Sequence, residues 1–313
     1  MNMNKLLSDY LELRRSLGFK LHSEGTALVS FVLFLEQHNK DLITTELALA
    51  WAKLPADVQP ARWARRLSYV RGFARYCNAL DPKSEIPPTD LLSIQYQRRT
   101  PYIFTTEEIK RLLETTKLLS VNDPFLSETL YCLFGLLSVT GLRISEALNM
   151  MLEDIDLQTK MLTVKNTKFN KSRLVPLHNT TINILINYRG KREKFMNGAI
   201  SPFWFVSKMR VRLSYYRASY YFDKLLKTMG IDKSSSVRKP HLHDFRHYFA
   251  VTVLKNWYQN GEDIERSLPI LSTYLGHVET RDTYWYLSAF PGLMDEANKR
   301  LEKYWRNSHE SNY

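Results

Sequence analysis

Apolar positions recur along this chain at three- and four-residue steps, the period of a helix buried on one face. Over residues 3–16, Leu6, Leu7, Tyr10, Leu11 and Leu13 stand among charges, and over 24–38 the pattern resumes with Leu28, Phe31, Leu33, Phe34 and Leu35. A short helix is expected at 45–53, behind the cap signal Thr44-Thr45. The clearest stripe runs through 60–79 on Trp63, Leu67, Val70, Ala74 and Cys77, with Arg62, Arg65, Arg66, Arg71 and Arg75 outside it. Two prolines then break the helical pattern at 84–89, and the polar, basic stretch at 95–102 reads as a linker. Thr105-Thr-Glu-Glu108 has the form of a capping box and opens a helix over 106–119. The apolar run at 125–139 reads as a buried helix, with Gly141 as its terminator.

Beyond that point the period changes. Residues 160–166 and 172–177 read as two short strands of a hairpin with a basic turn, and 203–206 is a third strand-like run. Helices are expected at 179–196, at 213–229, from the stretch near 241 to about 257, and in an amphipathic segment at 292–305. Tyr215, Tyr216, Tyr220, Tyr221 and Phe222 sit at helical spacing and are expected in a core. The fold class that results is mainly α with a small antiparallel β-sheet, in two domains. The first is a helical domain over 1–97, the linker covers 98–104, and the second domain spans 105–313.

Composition adds a partner. Of 313 residues, 44 are Lys or Arg and 32 are Asp or Glu, a net charge of +12. Residues 1–100 hold 14 basic and 10 acidic residues, leaving 30 and 22 for the remainder. Both parts are basic, which fits two domains gripping one polyanion better than it fits a basic tail. The arginines of the 60–79 helix suit phosphate contacts, as do Arg98 and Arg99 in the linker. Cys77 and Cys132 are the only cysteines and have no metal spacing, so buried thiols in a reducing compartment are expected. No apolar run is long enough to span a membrane, and the first residues lack the apolar core of a signal peptide. A cytoplasmic protein is expected.

The densest chemistry lies in His241-Leu-His-Asp-Phe-Arg-His247. Read as a helix start, it puts His243, Arg246 and His247 on neighbouring positions. A permanent cation beside a titratable imidazole can hold an anion and move a proton. A capped helix with structural histidines fits the same letters. His243 and His247 also have the i,i+4 spacing of a zinc pair, but Arg246 is a poor neighbour for a dication. Glu153, Asp154 and Asp156 cluster as carboxylates would in a metal-dependent nuclease. Arg143 follows directly on a strongly apolar stretch and needs a partner, which Glu146 or a bound phosphate can supply.

Four elements stand in a fixed order: TGLRISE, a lysine before RLVPL, HDFRH, and LGH with a tyrosine nine residues on. This arrangement resembles the tyrosine recombinase, or phage integrase, family across nearly all of the second domain. The resemblance implies an N-terminal helical core-binding (SAM-like) domain followed by a catalytic domain. Matched position by position, it implies catalytic roles for Arg143, Lys168, His243, Arg246, His277 and the nucleophile Tyr286. Lys171 remains the alternative to Lys168, and the nine-residue spacing favours Tyr286 over Tyr284. The family pattern often has Leu at the position of Phe245, and glycines flank the hairpin lysine in many relatives. The implied activity is site-specific recombination through a 3′-phosphotyrosyl intermediate, with no cofactor, metal or ATP. Two arginines would clamp the phosphate, a base such as His243 would serve the tyrosine, Lys168 would protonate the leaving 5′ oxygen, and His277 would bond the phosphate. The implied partners are duplex DNA with inverted-repeat core sites and further copies of this chain in a tetramer. Leu293, Met294, Ala297, Leu301 and Trp305 offer a stripe for packing a C-terminal helix in its own subunit or a neighbour. Arg62, Arg65, Arg66, Arg98, Arg99, Lys171 and Arg173 are expected on the DNA. The competing expectation is a DNA-binding accessory protein of the same fold without catalysis.

Overall fold

The computed structural model describes residues 2–92, 100–121, 123–165, 172–231, 239–289 and 291–310. The chain divides into two compact units, Met1–Arg99 and Thr100–Tyr313.

The described residues of the first unit form four helices, α1 (Met3–Ser16), α2 (His22–Gln37), α3 (Thr45–Lys53) and α4 (Pro60–Leu80). Their starts follow from local chemistry. The Asn2 side chain accepts from the Asn4 and Lys5 amides, Thr44 caps α3 through the Leu47 amide, and proline opens α4. The apolar stripes meet in one core around Leu28, Phe31, Leu35, Trp51, Leu67, Val70 and Phe73. Phe31 meets Trp51 edge-on at 5.2 Å. Full burial of each such side chain stabilises by roughly 1.5–3 kcal/mol, so this small bundle rests mainly on its aromatic and leucine contacts.

In the second unit, α5 (Thr106–Thr116) opens with the expected capping box between Thr105 and Glu108. The central helix is α6 (Pro124–Thr140), whose Leu130, Leu133, Phe134 and Leu137 are fully buried. Gly141 ends it at φ 61°, a left-handed cap that glycine adopts without strain. Next come α7 (Ile144–Asn149) and a three-stranded antiparallel sheet of β1 (Ile155–Asp156), β2 (Met161–Val164) and β3 (Arg173–Pro176), in that order. Leu162 pairs with both Ile155 and Val175, which fixes the register. The expected strand at 203–206 makes only isolated bridges, Met151 with Phe203 and Val206 with Arg212. Trp204, Phe205 and Val206 are all buried, so that segment is core rather than a strand of the sheet.

Helices α8 (Asn179–Met196), α9 (Tyr215–Thr228), α10 (Asp244–Asn260), α11 (Ile264–Leu275), α12 (Arg281–Ala289) and α13 (Pro291–Glu310) complete the unit. Phe245 at the start of α10 stacks on Phe104 and Phe134 at 5.5 and 5.6 Å, which locks this helix end against α6. The aromatics of α9 divide, contrary to the core expected for them. Phe222 is buried with Ala218 and Leu225, whereas Tyr215, Tyr216 and Tyr220 are exposed because they fall off that face. On α13, Leu293 is buried and Met294 and Leu301 are exposed, while Arg300 donates to the Gly261 and Glu262 carbonyls at the end of α10.

Candidate active site

The site is assembled at the C-terminal end of α11. The last carbonyls of any helix lack intrahelical partners and carry its negative dipole end. Three arginines from three separate elements take them. Arg143, at the N-cap of α7, donates to Gly276 O at 3.0 Å. Arg173, on β3, donates through Nε to Tyr274 O at 2.7 Å. Arg246, on the first turn of α10, donates to Leu275 O at 2.6 Å and across to Gly141 O at 3.0 Å. Gly276 itself is left-handed at φ 67°, and a Cβ there would meet Arg173 Nη1 at 3.0 Å, so the turn needs glycine on both counts.

Glu146 is the anion of this group. Its two oxygens receive a bidentate fork from Arg173 at 2.8 and 3.1 Å, plus Arg143 Nη1 and the Arg143 amide, both at 2.9 Å. Burial by itself would raise this carboxyl. The hydrogen bonds and charge of Arg173, and then those of Arg143, overcome it and hold the group at about 2. Arg246 is pulled the other way. Burial lowers its guanidinium to about 10, with Arg143 and Arg173 adding to the fall and Tyr286 and Glu146 opposing it. It is cationic at neutral pH and 1% exposed, while the Arg143 side chain is 30% exposed and opens outward.

The tyrosine is the second component. Tyr286 lies in α12, buried with Ala250, Leu254, Leu271 and Leu293. Its hydroxyl is 2.9 Å from His247 Nδ1. His243, expected as the base, is exposed, and its ring stands edge-on to that of His247 at 5.0 Å. His277 follows the Gly276 turn, and its Nδ1 is 2.7 Å from Thr283 Oγ1, which sets the plane of the ring. Lys168 and Lys171 lie outside the described residues, as do Arg98 and Arg99.

Two arginines expected on DNA are committed within the protein. Arg173 is held by Glu146 and Tyr274, and its side chain is 11% exposed. Arg66 lies 3.7 Å above the Trp51 ring and donates to Trp51 O. Arg62 and Arg65 are exposed on α4. The carboxylates at 153–156 have occupations of their own. Lys165 pairs with Glu153 and Asp154 at 2.7 and 2.8 Å, and Asp156 caps the turn at Gln158 and Thr159. Among the described residues, no group of three or more His, Cys, Asp and Glu side chains is arranged to hold a metal ion.

Sequence reasoning placed Glu146 only as a partner for Arg143 and gave His247 no contact with the tyrosine. The i,i+3 spacing signals the first pair. Nothing in the linear sequence brings Arg173 to Glu146, or His247 to a tyrosine 39 residues on.

Comparison with known proteins gives a consistent picture. The model of the phage integrase family matches residues 103–291. "Putative integrase/recombinase y4rB" of Sinorhizobium fredii is 45% identical over 305 residues, covering 96% of this chain and 97% of that protein. Among solved structures, the fold is similar to that of XerH site-specific recombinase bound to palindromic difH substrate in a post-cleavage complex. There the TM-score is 0.68 at 17% identity, over 96% of this chain and 85% of the other. It is also similar to lambda integrase in a tetramer bound to a Holliday junction, with a TM-score of 0.58 at 18% identity, over 90% and 78% of the two chains.

Proposed function

Because the chain belongs to the phage integrase family, whose members are site-specific tyrosine recombinases, we propose that it cuts and rejoins DNA through Tyr286. The observation that carries this is the convergence of Arg143 and Arg246 on one helix end, while the residue after Arg246 holds the Tyr286 hydroxyl.

In the reaction, the scissile phosphate docks on Arg143, whose outward-facing guanidinium is pre-aimed by Glu146. Arg246 supplies a second, immobile cation behind it. Tyr286 Oη attacks phosphorus, the P–O bond to the 5′ oxygen breaks, and Lys168 protonates that oxygen. His277 and the exposed His243 bond the non-bridging oxygens. The 3′-phosphotyrosyl product keeps a phosphodiester bond of similar energy, so a new 5′ hydroxyl can reverse the step without ATP. The guanidinium charges do the work of a metal, and none is required by this scheme. The unit Met1–Arg99 grips the duplex through the exposed α4 residues Arg62 and Arg65, and Arg98 and Arg99 add charge for phosphate contacts. The XerH complex holds a palindromic substrate and the lambda integrase complex is a tetramer on a Holliday junction, which supports inverted-repeat sites and a tetramer for this chain. Exposed Met294 and Leu301 of α13 are available to a neighbouring copy. No described helix is long and apolar enough to cross a membrane, and we place the protein in the cytoplasm with its DNA.

The test is a nicked suicide duplex carrying the sequence that the full chain enriches from a randomised pool. A covalent adduct is expected in EDTA with the wild type and none with Tyr286→Phe. An adduct that survives Tyr286→Phe, or binding with no adduct from the wild type, would favour an accessory protein or another nucleophile.

A further inference from the structure

The recombinase reading leaves one proton unassigned. Tyrosine is a weak nucleophile while protonated, so something must take its hydroxyl proton as the bond to phosphorus forms. The obvious candidate by sequence is His243, which lies in the HDFRH stretch beside the phosphate-binding arginine. The structure separates the two histidines of that stretch by environment. One turn of α10 places both on one face, with their rings edge-to-face at 5.0 Å. Yet His243 is exposed, and His247 is buried against Trp285 and Tyr286 of α12. It is His247 whose ring nitrogen stands within hydrogen-bond distance of the reacting oxygen.

Resting on that reading, we propose that His247 is the proton acceptor for Tyr286, and that His243 acts on the phosphate. Three features carry the assignment. The contact is made by Nδ1 at 2.9 Å, well inside the range for direct transfer. The ring packs against those of His243 and Trp285, at centroid distances of 5.0 and 5.9 Å. His247 also follows Arg246 directly on a helix turn fixed by the Gly141 and Leu275 carbonyls. Base and phosphate-binding cation are therefore carried by one rigid element.

The step balances. Neutral His247 carries its proton on Nε2 and accepts the Tyr286 proton on Nδ1. The Oη–P bond forms, the P–O5′ bond breaks, and the 5′ oxygen takes a proton from Lys168. Religation runs the same transfers backward, with the His247 imidazolium returning its proton to Tyr286 as the 5′ hydroxyl attacks. The enzyme ends each cycle in its starting protonation state. His247 contacts the reacting oxygen in this structure and is in this sense catalytic.

The test reads proton transfer itself. Asparagine at 247 keeps a polar group near the Nδ1 position but cannot accept a proton. Single-turnover adduct formation on the enriched nicked duplex should fall about 100-fold or more in His247→Asn, the lower end of general-base contributions, with duplex binding kept. Replacing Tyr286 with a fluorinated tyrosine of lower pKa should then restore at least about tenfold, because an acidified phenol depends less on its base. The deficit of His243→Asn should not respond to the fluorinated tyrosine. If His247→Asn disturbs duplex binding, His247→Gln takes its place in the same comparison. The inference is overturned if the 247 variant stays within about threefold of wild type, or if fluorination rescues the 243 variant instead. A wild-type chain that binds the duplex without forming an adduct overturns the recombinase reading itself, and this inference with it.

Discussion

Replacing Glu146 by glutamine removes one charge and almost no volume, and it leaves Arg143 and Arg173 without their anion. The magnitude can be worked from the carboxyl. Held at about 2 in the folded protein against an ordinary 4.5, it contributes roughly 3 kcal/mol to stability at about 1.4 kcal/mol per pH unit. A folded-state value below the unfolded one places this stabilisation in full above about pH 4.5, and it is lost as pH falls through 2. About half should remain at pH 3 by the same linkage. The Glu146 side chain is 7% exposed, so solvent screening removes little of the effect. Removal of one partner from a buried ion pair typically costs about 3–5 kcal/mol, in agreement. The assay is urea unfolding of wild type and Glu146→Gln, read by hydrogen exchange of α6 and α7 amides so that the second unit is followed by itself. A loss of about 3 kcal/mol is expected at pH 7, shrinking toward pH 2. Added sulfate should stabilise the variant more than the wild type, since the unpaired guanidiniums would bind it. A difference below about 1 kcal/mol at pH 7, or one that does not change at pH 3, would refute the view that Glu146 is held down by its arginines.

Four further outcomes follow from particular contacts. Gly141→Ala forces a left-handed residue and brings Cβ to 2.5 Å from Phe249 Cδ1. Thermal unfolding should show a loss of about 2–4 kcal/mol, with adduct formation reduced because Gly141 O is the Arg246 acceptor. Arg246→Lys keeps the charge but cannot bridge the Gly141 and Leu275 carbonyls, so adduct formation should fall by at least about 100-fold while the salt dependence of duplex binding stays unchanged. In α4, Arg62→Ala or Arg65→Ala should each lower the log–log salt slope of duplex binding by about 1. Arg66→Ala should leave the slope intact and cost stability through its lost Trp51 contact, measured by thermal unfolding.

The helices were legible because each carries its own apolar stripe and its own cap. The periodic run at 60–79 and the capping box at Thr105–Glu108 contain nearly all the information needed to place α4 and α5. The exposed tyrosines of α9 and the non-strand at 203–206 were not legible. Their letters suit several environments, and tertiary contacts decide which one they occupy. The site divides in the same way. Arg143, Arg246 and Tyr286 stand out by motif order, but the motif lists the parts without their couplings. Arg173 reads as one more basic residue near DNA until β3 lays it against Glu146. Arg66 reads as one more arginine on a polar face until the Trp51 ring lies beneath it. In both cases a positive charge expected to face phosphate is drawn inward, by a carboxylate or by an aromatic ring and a carbonyl.

The charge arrangement bears on why Arg246 is buried and Arg173 nearly so. Arg143, Arg173 and Arg246 against Glu146 leave an excess of two positive charges in the cluster. A phosphodiester carries one negative charge, and the pentacoordinate state reached as a deprotonated tyrosine attacks carries two. An electrostatic site lowers a barrier only by binding that second state better than the first. In the proposed reaction, the two-charge excess of this cluster matches that second state in charge. Helix-end carbonyls of α11 hold the donors in place, Glu146 aims Arg143, and burial keeps water from screening Arg246. Charged groups so placed cost folding energy that the α11 carbonyls and Glu146 only partly offset. In the proposed reaction, the bound phosphate adds a further anion to this group. DNA binding should therefore stiffen this end of α11 more than any other part of the second unit, which amide exchange at residues 272–277 can measure.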